Sequence, residues 1–311
     1  MKGESAMRAV FVDANDSLAA ITEKLRREDD PPVAINRDPD ITPDQLPGVL
    51  GGAAIAIIDH TSLPTPLAAR CQGLEHVVFL GTGARSYMNP EELAGLGIAV
   101  HIIKGYGDTA VAECAIALMW ASARSLARMD HGMRSGQWLR IDAVQLTGKT
   151  LGLIGFGGVA AEVARLALGC GIKVVAWNRS PRTYPGVEFA TLEEVLARSE
   201  IVSLHLLLTD ETRGFLSRER IAAMKPGVIL VNTARGGLVD EAAMIEALRR
   251  GLIRHAGLDV FAVEPLPPGH VLSTFENVTL SAHSAFRTPE ASDNLIGAAL
   301  DHCRRIATTG R

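Results

Sequence analysis

The chain has 311 residues, 47% of them hydrophobic and 21% charged. That is a globular composition, with room for two domains at roughly 150 residues each. A net charge of −4 offers no basic excess of the kind that nucleic-acid binding needs. No apolar run reaches the roughly 18 residues of a membrane span; the nearest, Ala110 to Ala123, is broken by Glu113.

The opening residues, MKGESAMRAV, lack the apolar stretch of a secretory leader, and Met7 offers an alternative start behind a disordered extension. Cys71, Cys114, Cys170 and Cys303 stand apart, with no C-x-x-C and no metal-ligand spacing. The expectation is a reduced, cytoplasmic chain without a metal, each thiol serving as a small buried hydrophobe.

In chain order, short apolar runs alternate with longer amphipathic stretches. The runs are Ala9–Val12, Ile55–Ile58, His76–Leu80, Ile98–Ile103, Thr150–Ile154, Lys173–Trp177, Ile201–Leu204, Val228–Val231, Ala256–Asp259 and Val278–Leu280. They are rich in Val, Ile and Leu without polar alternation, as strands buried on both faces of a parallel sheet are. Between them the sequence predicts one or two helices over Thr109–Gly136, then a helix over Val159–Leu168 that stops at Gly169. Thr191-Leu-Glu-Glu194 is a capping box, Glu241–Arg250 ends on cations and Gly251, and Pro289 opens a last helix to about Ile306. Strand–helix alternation throughout predicts a doubly wound α/β protein. Two sheets are expected, since twisted open sheets rarely exceed about ten strands.

One turn carries chemistry by itself. Gly155, Gly157 and Ala160 form a G-x-G-x-x-A between a predicted strand and a predicted helix. The first glycine permits the tight turn and the second lets backbone approach a pyrophosphate. Ala160 packs helix on strand, and the helix start offers free amides to phosphate. Gly155, Phe156, Gly157, Gly158 and Val159 are therefore the candidate phosphate loop. The following strand ends at Trp177-Asn178-Arg179-Ser180, where an NAD domain usually has an acid for the ribose hydroxyls. Asn178 would not repel a 2′-phosphate, and Arg179 and Ser180 would hold one. This favours NADP and leaves NAD open; Arg179 as a solvated surface residue is the competing reading.

From Gly81 to the last helix the sequence resembles the D-isomer-specific 2-hydroxyacid dehydrogenase family, in its glyoxylate and hydroxypyruvate reductase branch. The resemblance rests on Gly81-Thr-Gly83, Ala110-Val-Ala-Glu113, Gly136-Gln-Trp138, the Gly155 fingerprint and His205-Leu-Leu-Leu-Thr209 with Thr212. It continues through Val231-Asn-Thr-Ala-Arg-Gly-Gly237, Gly257-Leu-Asp-Val-Phe261 with Glu264-Pro265, and Ser281-Ala-His283 with Thr288.

The resemblance implies a flavodoxin-like substrate domain, 1–105 plus 286–311, into which a Rossmann-type dinucleotide domain, 106–285, is inserted, with closure excluding water. It implies hydride transfer between a nicotinamide cofactor and a small 2-keto or 2-hydroxy acid. His283 would be the acid/base, Glu264 would orient it and favour its proton-loaded form, and Arg235 would bind the substrate carboxylate. Leu207, Thr212, Thr233, Ala234 and Asp259 would line the cofactor, with His205 a structural neighbour. Thr82 and Gly83 would offer amides to substrate. A homodimer is implied, for which the apolar Ala110–Ala123 helix is a candidate face; a core helix is the alternative.

The departures fall near the expected substrate: Arg85-Ser86 where an Asp is frequent, and Asp59-His60 where an Arg is frequent. Leu207 replaces a common Pro. His60 is either a substrate contact or a surface residue. The rival readings are a cofactor-sensing, corepressor-like protein and a phosphite-type dehydrogenase using the same three residues. Glu264, where a formate dehydrogenase carries Gln, argues against that branch.

Overall fold

The structure is a computed structural model describing residues 7–28 and 30–309. The extension expected before Met7 lies outside the described residues. The chain forms two compact units, Met1–Gly107 with Thr288–Arg311, and Asp108–Arg287. The junctions fall two residues beyond the 105/106 and 285/286 positions read from sequence.

The first unit runs β1 (Ala9–Phe11), α1 (Asp16–Leu25), β2 (Val33–Ile35), α2 (Leu46–Leu50), β3 (Ile55–Ile58), α3 (Thr65–Ala68), β4 (His76–Phe79), α4 (Pro90–Gly95) and β5 (Ala99–Ile102). Its strands are all parallel, in the order β2-β1-β3-β4-β5. Alternation along β1 sends Val10 and Val12 to one face, with Leu46, Leu63 and Leu93. Ala9 and Phe11 go to the other, beneath the last helix of the chain.

The second unit starts with α5 (Asp108–Arg124) and α6 (Leu126–Arg134). It continues β6 (Thr150–Ile154), α7 (Gly158–Gly169), β7 (Lys173–Trp177), β8 (Val187–Phe189), α8 (Leu192–Arg198), β9 (Ile201–Leu204), α9 (Arg218–Ala222), β10 (Val228–Asn232), α10 (Glu241–Arg249), β11 (Ile253–Leu258) and β12 (Val278–Leu280). The seven parallel strands lie in the order β12-β11-β10-β9-β6-β7-β8. One face packs on α5 and α7, the other on α8, α9 and α10. The last helix, α11 (Pro289–Thr309), returns to the first unit and buries Leu295, Ala299, Cys303 and Ile306 there.

Two strands escape the sequence reading. β2 and β8 are three-residue edge strands, only partly buried, so neither carries the continuous apolar run that marks an interior strand. The predicted Thr109–Gly136 helix is two helices. Ser125 takes a left-handed φ of 51°, and the pair bends by 66°. No single helix among the described residues is long and apolar enough to cross a membrane.

The structure corrects two expectations here. Helix α5 is not a free apolar face: Ala112, Ala115, Leu118, Met119 and Ala123 are buried in the core of the second unit. The exposed apolar side chains lie just after it, at Leu126, Met133 and Trp138. Cys170, expected buried, is exposed where α7 ends, while Cys71 and Cys303 are buried.

Candidate functional site

In a doubly wound sheet, ligands bind beyond the carboxyl ends of the strands where strand order reverses. In the second unit that point lies between β6 and β9. The chain leaves β6 through Gly155 at φ +89°, where a β-carbon would lie 2.7 Å from the His205 carbonyl oxygen. Only glycine fits so close a crossing. Gly157 has no atom within 4 Å of where its β-carbon would be, so backbone there is open to an incoming group. No side chain caps the amide end of α7. Two buried polar atoms at neighbouring strand ends have no hydrogen-bond partner: Thr233 Oγ1 beyond β10 and His205 Nε2 beyond β9. Burial pushes the His205 imidazole down to about 4, so it is neutral at physiological pH. An open glycine loop, uncapped amides and orphaned polar atoms fit the phosphates and polar edges of a dinucleotide.

Asn178 closes the end of β7. Its Oδ1 accepts from the Phe156 amide at 3.0 Å, and its Nδ2 donates to the Ser180 carbonyl at 2.8 Å. It thus ties the glycine loop to the strand end. Arg179 lies out in solvent, its side chain 83% exposed, with Glu211 at 3.5 Å. The sequence reading of Arg179 as a ligand is corrected to that extent: its placement is that of a surface ion pair. Leu207 is 71% exposed on the loop after β9. The Thr212 hydroxyl is spent inside that loop, donating to the Leu207 carbonyl and accepting from the Thr209 amide at 2.7 Å. Thr212 therefore fastens the loop.

The three acid/base and anion-binding candidates all belong to the second unit. Arg235 follows β10 in a turn clamped by buried Asn232, which accepts from the Ala234 amide and donates to the Arg235 carbonyl, each at 3.0 Å. Gly236 comes next; a β-carbon there would overlap the backbone of Phe261 and Ala262. That close approach sets the Arg235 turn against the segment carrying Glu264. One Arg235 Nη donates to the Ala234 carbonyl at 2.7 Å. Glu264 is oriented by the Phe261 amide, 2.8 Å from Oε1, and its Oε2 lies 2.6 Å from His283 Nδ1. A carboxylate only accepts, so Nδ1 is the donor and Nε2 is left to carry or release the exchanged proton. His283 holds a left-handed φ of 48°, uncommon outside glycine.

Asp259 accounts for that backbone conformation. It is fully buried, and its carbonyl accepts from the His283 amide at 2.8 Å. Its two carboxylate oxygens accept from Ser284 and Ala285 amides, each at 3.0 Å. This corrects the sequence reading of Asp259 as a cofactor contact: its oxygens clamp the turn that presents His283. Asn232, Gly236 and the Phe261 amide were not singled out from sequence. Their signal lay inside quoted motifs, but their function is to hold neighbours, which residue type does not reveal.

Thr82, Gly83 and His60 lie in the first unit. Gly83 opens a short 3₁₀ turn, Ala84–Ser86. Arg85 pairs with Glu91. Both ring nitrogens of His60 are engaged, Nε2 with the Pro39 carbonyl at 2.7 Å and Nδ1 with Asp59 at 3.1 Å. The Asp59 hydrogen bond, with the nearby Asp13 charge, pushes His60 up to about 9, so it is an internally bonded cation. The substrate-contact reading of His60 is corrected accordingly. Among the described residues, no three of His, Cys, Asp and Glu gather as a metal site.

Residues 116–285 match the family described as D-isomer specific 2-hydroxyacid dehydrogenase, NAD binding domain. A glyoxylate reductase of Aeropyrum pernix is 40% identical over 65% of this chain and 66% of its own length. A hydroxypyruvate reductase of Thermotoga maritima is 43% identical over 63% of this chain and 65% of its own length. The matched part thus spans slightly under two thirds of these relatives. A crystal structure of a protein from Thermus thermophilus superposes with a TM-score of 0.85 at 32% identity, covering 98% of both chains. Fold, glycine loop and sequence agree, and the chain belongs to the D-isomer specific 2-hydroxyacid dehydrogenase family.

Proposed function

We propose that this chain is an NAD(P)-dependent oxidoreductase acting on a small 2-keto or 2-hydroxy acid of D configuration. The observation that carries the reading is the His283–Glu264 pair at 2.6 Å, in the same unit as the Arg235 turn and an open glycine loop. A reduced nicotinamide bound at that loop would supply the hydride.

The chain's own groups do the rest. Arg235 keeps guanidinium N–H groups beyond the one on Ala234, enough to hold a carboxylate in a planar fork and polarise the adjacent carbonyl. His283 gives the Nε2 proton to the oxygen as it becomes an alkoxide, and takes it back in the oxidative direction. Glu264 stabilises the imidazolium and fixes its ring. Thr82 and Gly83 as substrate-binding amides, and the first unit as the substrate domain, enter this reading through the family resemblance alone.

NADPH is the proposed preferred cofactor, because β7 ends in uncharged Asn178. Arg179 must leave Glu211 to reach a 2′-phosphate, and an exposed pair of that kind holds it only weakly. The proposed assembly is a homodimer, supported by exposed Leu126, Met133 and Trp138 at 50%, 52% and 74%. A reducing, cytoplasmic setting agrees with four free thiols.

The test is turnover of glyoxylate, hydroxypyruvate and phosphite with both cofactors, in wild type and His283→Ala. Keto-acid reduction is expected, with kcat falling by about 10²–10⁴ in His283→Ala and cofactor affinity unmoved. Cofactor binding without turnover would establish the corepressor-like reading instead, and phosphite oxidation would replace the substrate class. A kcat/KM ratio of about tenfold or more for NADPH is expected, reversed by Asn178→Asp and erased by Arg179→Ala. An NADH preference would discard the NADP assignment.

A further inference from the structure

The family fingerprint does not include Asp108, the first residue of α5, yet this carboxylate stands at the glycine loop. A β-carbon on Gly158, the first residue of α7, would overlap the Asp108 carboxylate. Asp108 thus fills the space that a side chain on the loop would take. Neither of its oxygens accepts a hydrogen bond from the described residues, and no cation pairs with it. The one charged group acting on it from a packed element is Glu162, a turn further along α7 and itself bonded to Arg165 at 2.9 Å. Burial, with the Glu162 charge, holds Asp108 above the usual carboxylate range.

We propose that Asp108 tunes how tightly this chain holds a dinucleotide, acting as an unpaired negative charge set against the phosphate-binding turn. The inference rests on the dinucleotide reading and deepens it. An anion arriving at the amide end of α7 meets favourable amides and dipole from the loop, and repulsion from Asp108. Protonation of Asp108 removes that repulsion and converts the carboxyl into a donor. Binding therefore takes up protons, and affinity rises as pH falls. Asn, of the same shape and without charge, should release the restraint permanently.

The experiment is fluorescence titration of NADH and NADPH into wild type and Asp108→Asn, at low and high salt, from pH 6 to 8, with melting temperatures recorded. Asp108→Asn is expected to bind about tenfold tighter at pH 7.5 and low salt, with the gain shrinking at about 0.5 M salt. Wild-type affinity should strengthen toward pH 6, and the variant's should not. Equal or weaker binding by a variant with wild-type melting temperature would overturn the proposal, as would a wild-type affinity that does not change with pH. Asp108→Ser carries the same comparison should the Asn variant fail to fold. If neither wild type nor variant binds either cofactor, it is the dinucleotide reading that fails.

Discussion

In the five-stranded sheet, the crevice where strand order reverses, between β1 and β3, is filled by the chain's own carboxylate. Asp13, just beyond β1 and fully buried, accepts from the amides of Asp59, His60 and Thr61 at 2.7–2.9 Å and from the Thr61 hydroxyl at 2.8 Å. In the seven-stranded sheet, the equivalent crevice between β6 and β9 is lined by glycine, by uncapped amides and by orphaned polar atoms. Both units obey the same winding rule, so topology alone nominates two ligand sites. The difference lies in hydrogen-bond accounting. Where an internal anion has satisfied the donors, no free-energy gain is left for a ligand; where donors stay unmet, a ligand completes them.

That contrast predicts opposite consequences for substitutions at the two crevices. Asp13→Ala strands four buried donors, each worth about 1–3 kcal/mol when unsatisfied, so several kcal/mol of stability should be lost. Urea unfolding would measure it, and a change below about 1 kcal/mol would show that water satisfies those donors. Gly157→Val should do the reverse. Its φ of −108° suits Val and nothing lies within 4 Å, so stability should hold while dinucleotide affinity drops about a hundredfold. Binding by calorimetry checks this, and unchanged affinity would show that the open crevice is not where the dinucleotide sits.

A smaller effect separates the Asp259 clamp from the chemistry it supports. Asp259→Asn exchanges one acceptor for a donor facing an amide, so it should loosen the His283 turn. The expectation is kcat lower by about tenfold to a hundredfold, near-wild-type cofactor affinity and a shifted pH–rate profile. A loss of affinity with kcat intact would instead restore the cofactor contact read from sequence.

The smallest effect concerns acid. Burial holds His255 down to about 4. Below its ordinary value near 6.5 the unfolded chain takes up a proton that the folded chain refuses, so stability falls with pH from there. The penalty is up to about 1.4 kcal/mol per pH unit down to about 4. His76, His101 and His302 of the first unit are depressed in the same direction by desolvation. His255→Gln can keep the bond to Thr279 and should flatten the acid limb of stability between pH 6.5 and 4.5. An unflattened limb would assign acid sensitivity to the first-unit histidines.

The sequence by itself determined the doubly wound class, the interior strands and the glycine loop, because these depend on local facts. Unbroken Val/Ile/Leu runs mark strands covered on both faces, and a glycine at a forced left-handed turn has no substitute. The residue types of Arg235, Glu264 and His283 and their order were legible in the same way. Edge strands β2 and β8 were not, since a short half-exposed strand leaves no run to read. Nor was the use of polar side chains. Asp13, Asp259, Asn178, Thr212 and His60 are ordinary polar residues in sequence. Only the tertiary structure decided that each spends its hydrogen bonds inside the protein, because a donor's partner can lie dozens of residues away. For the same reason only the fold set an unpaired Asp108 against Gly158, fifty positions apart in the chain and touching in space.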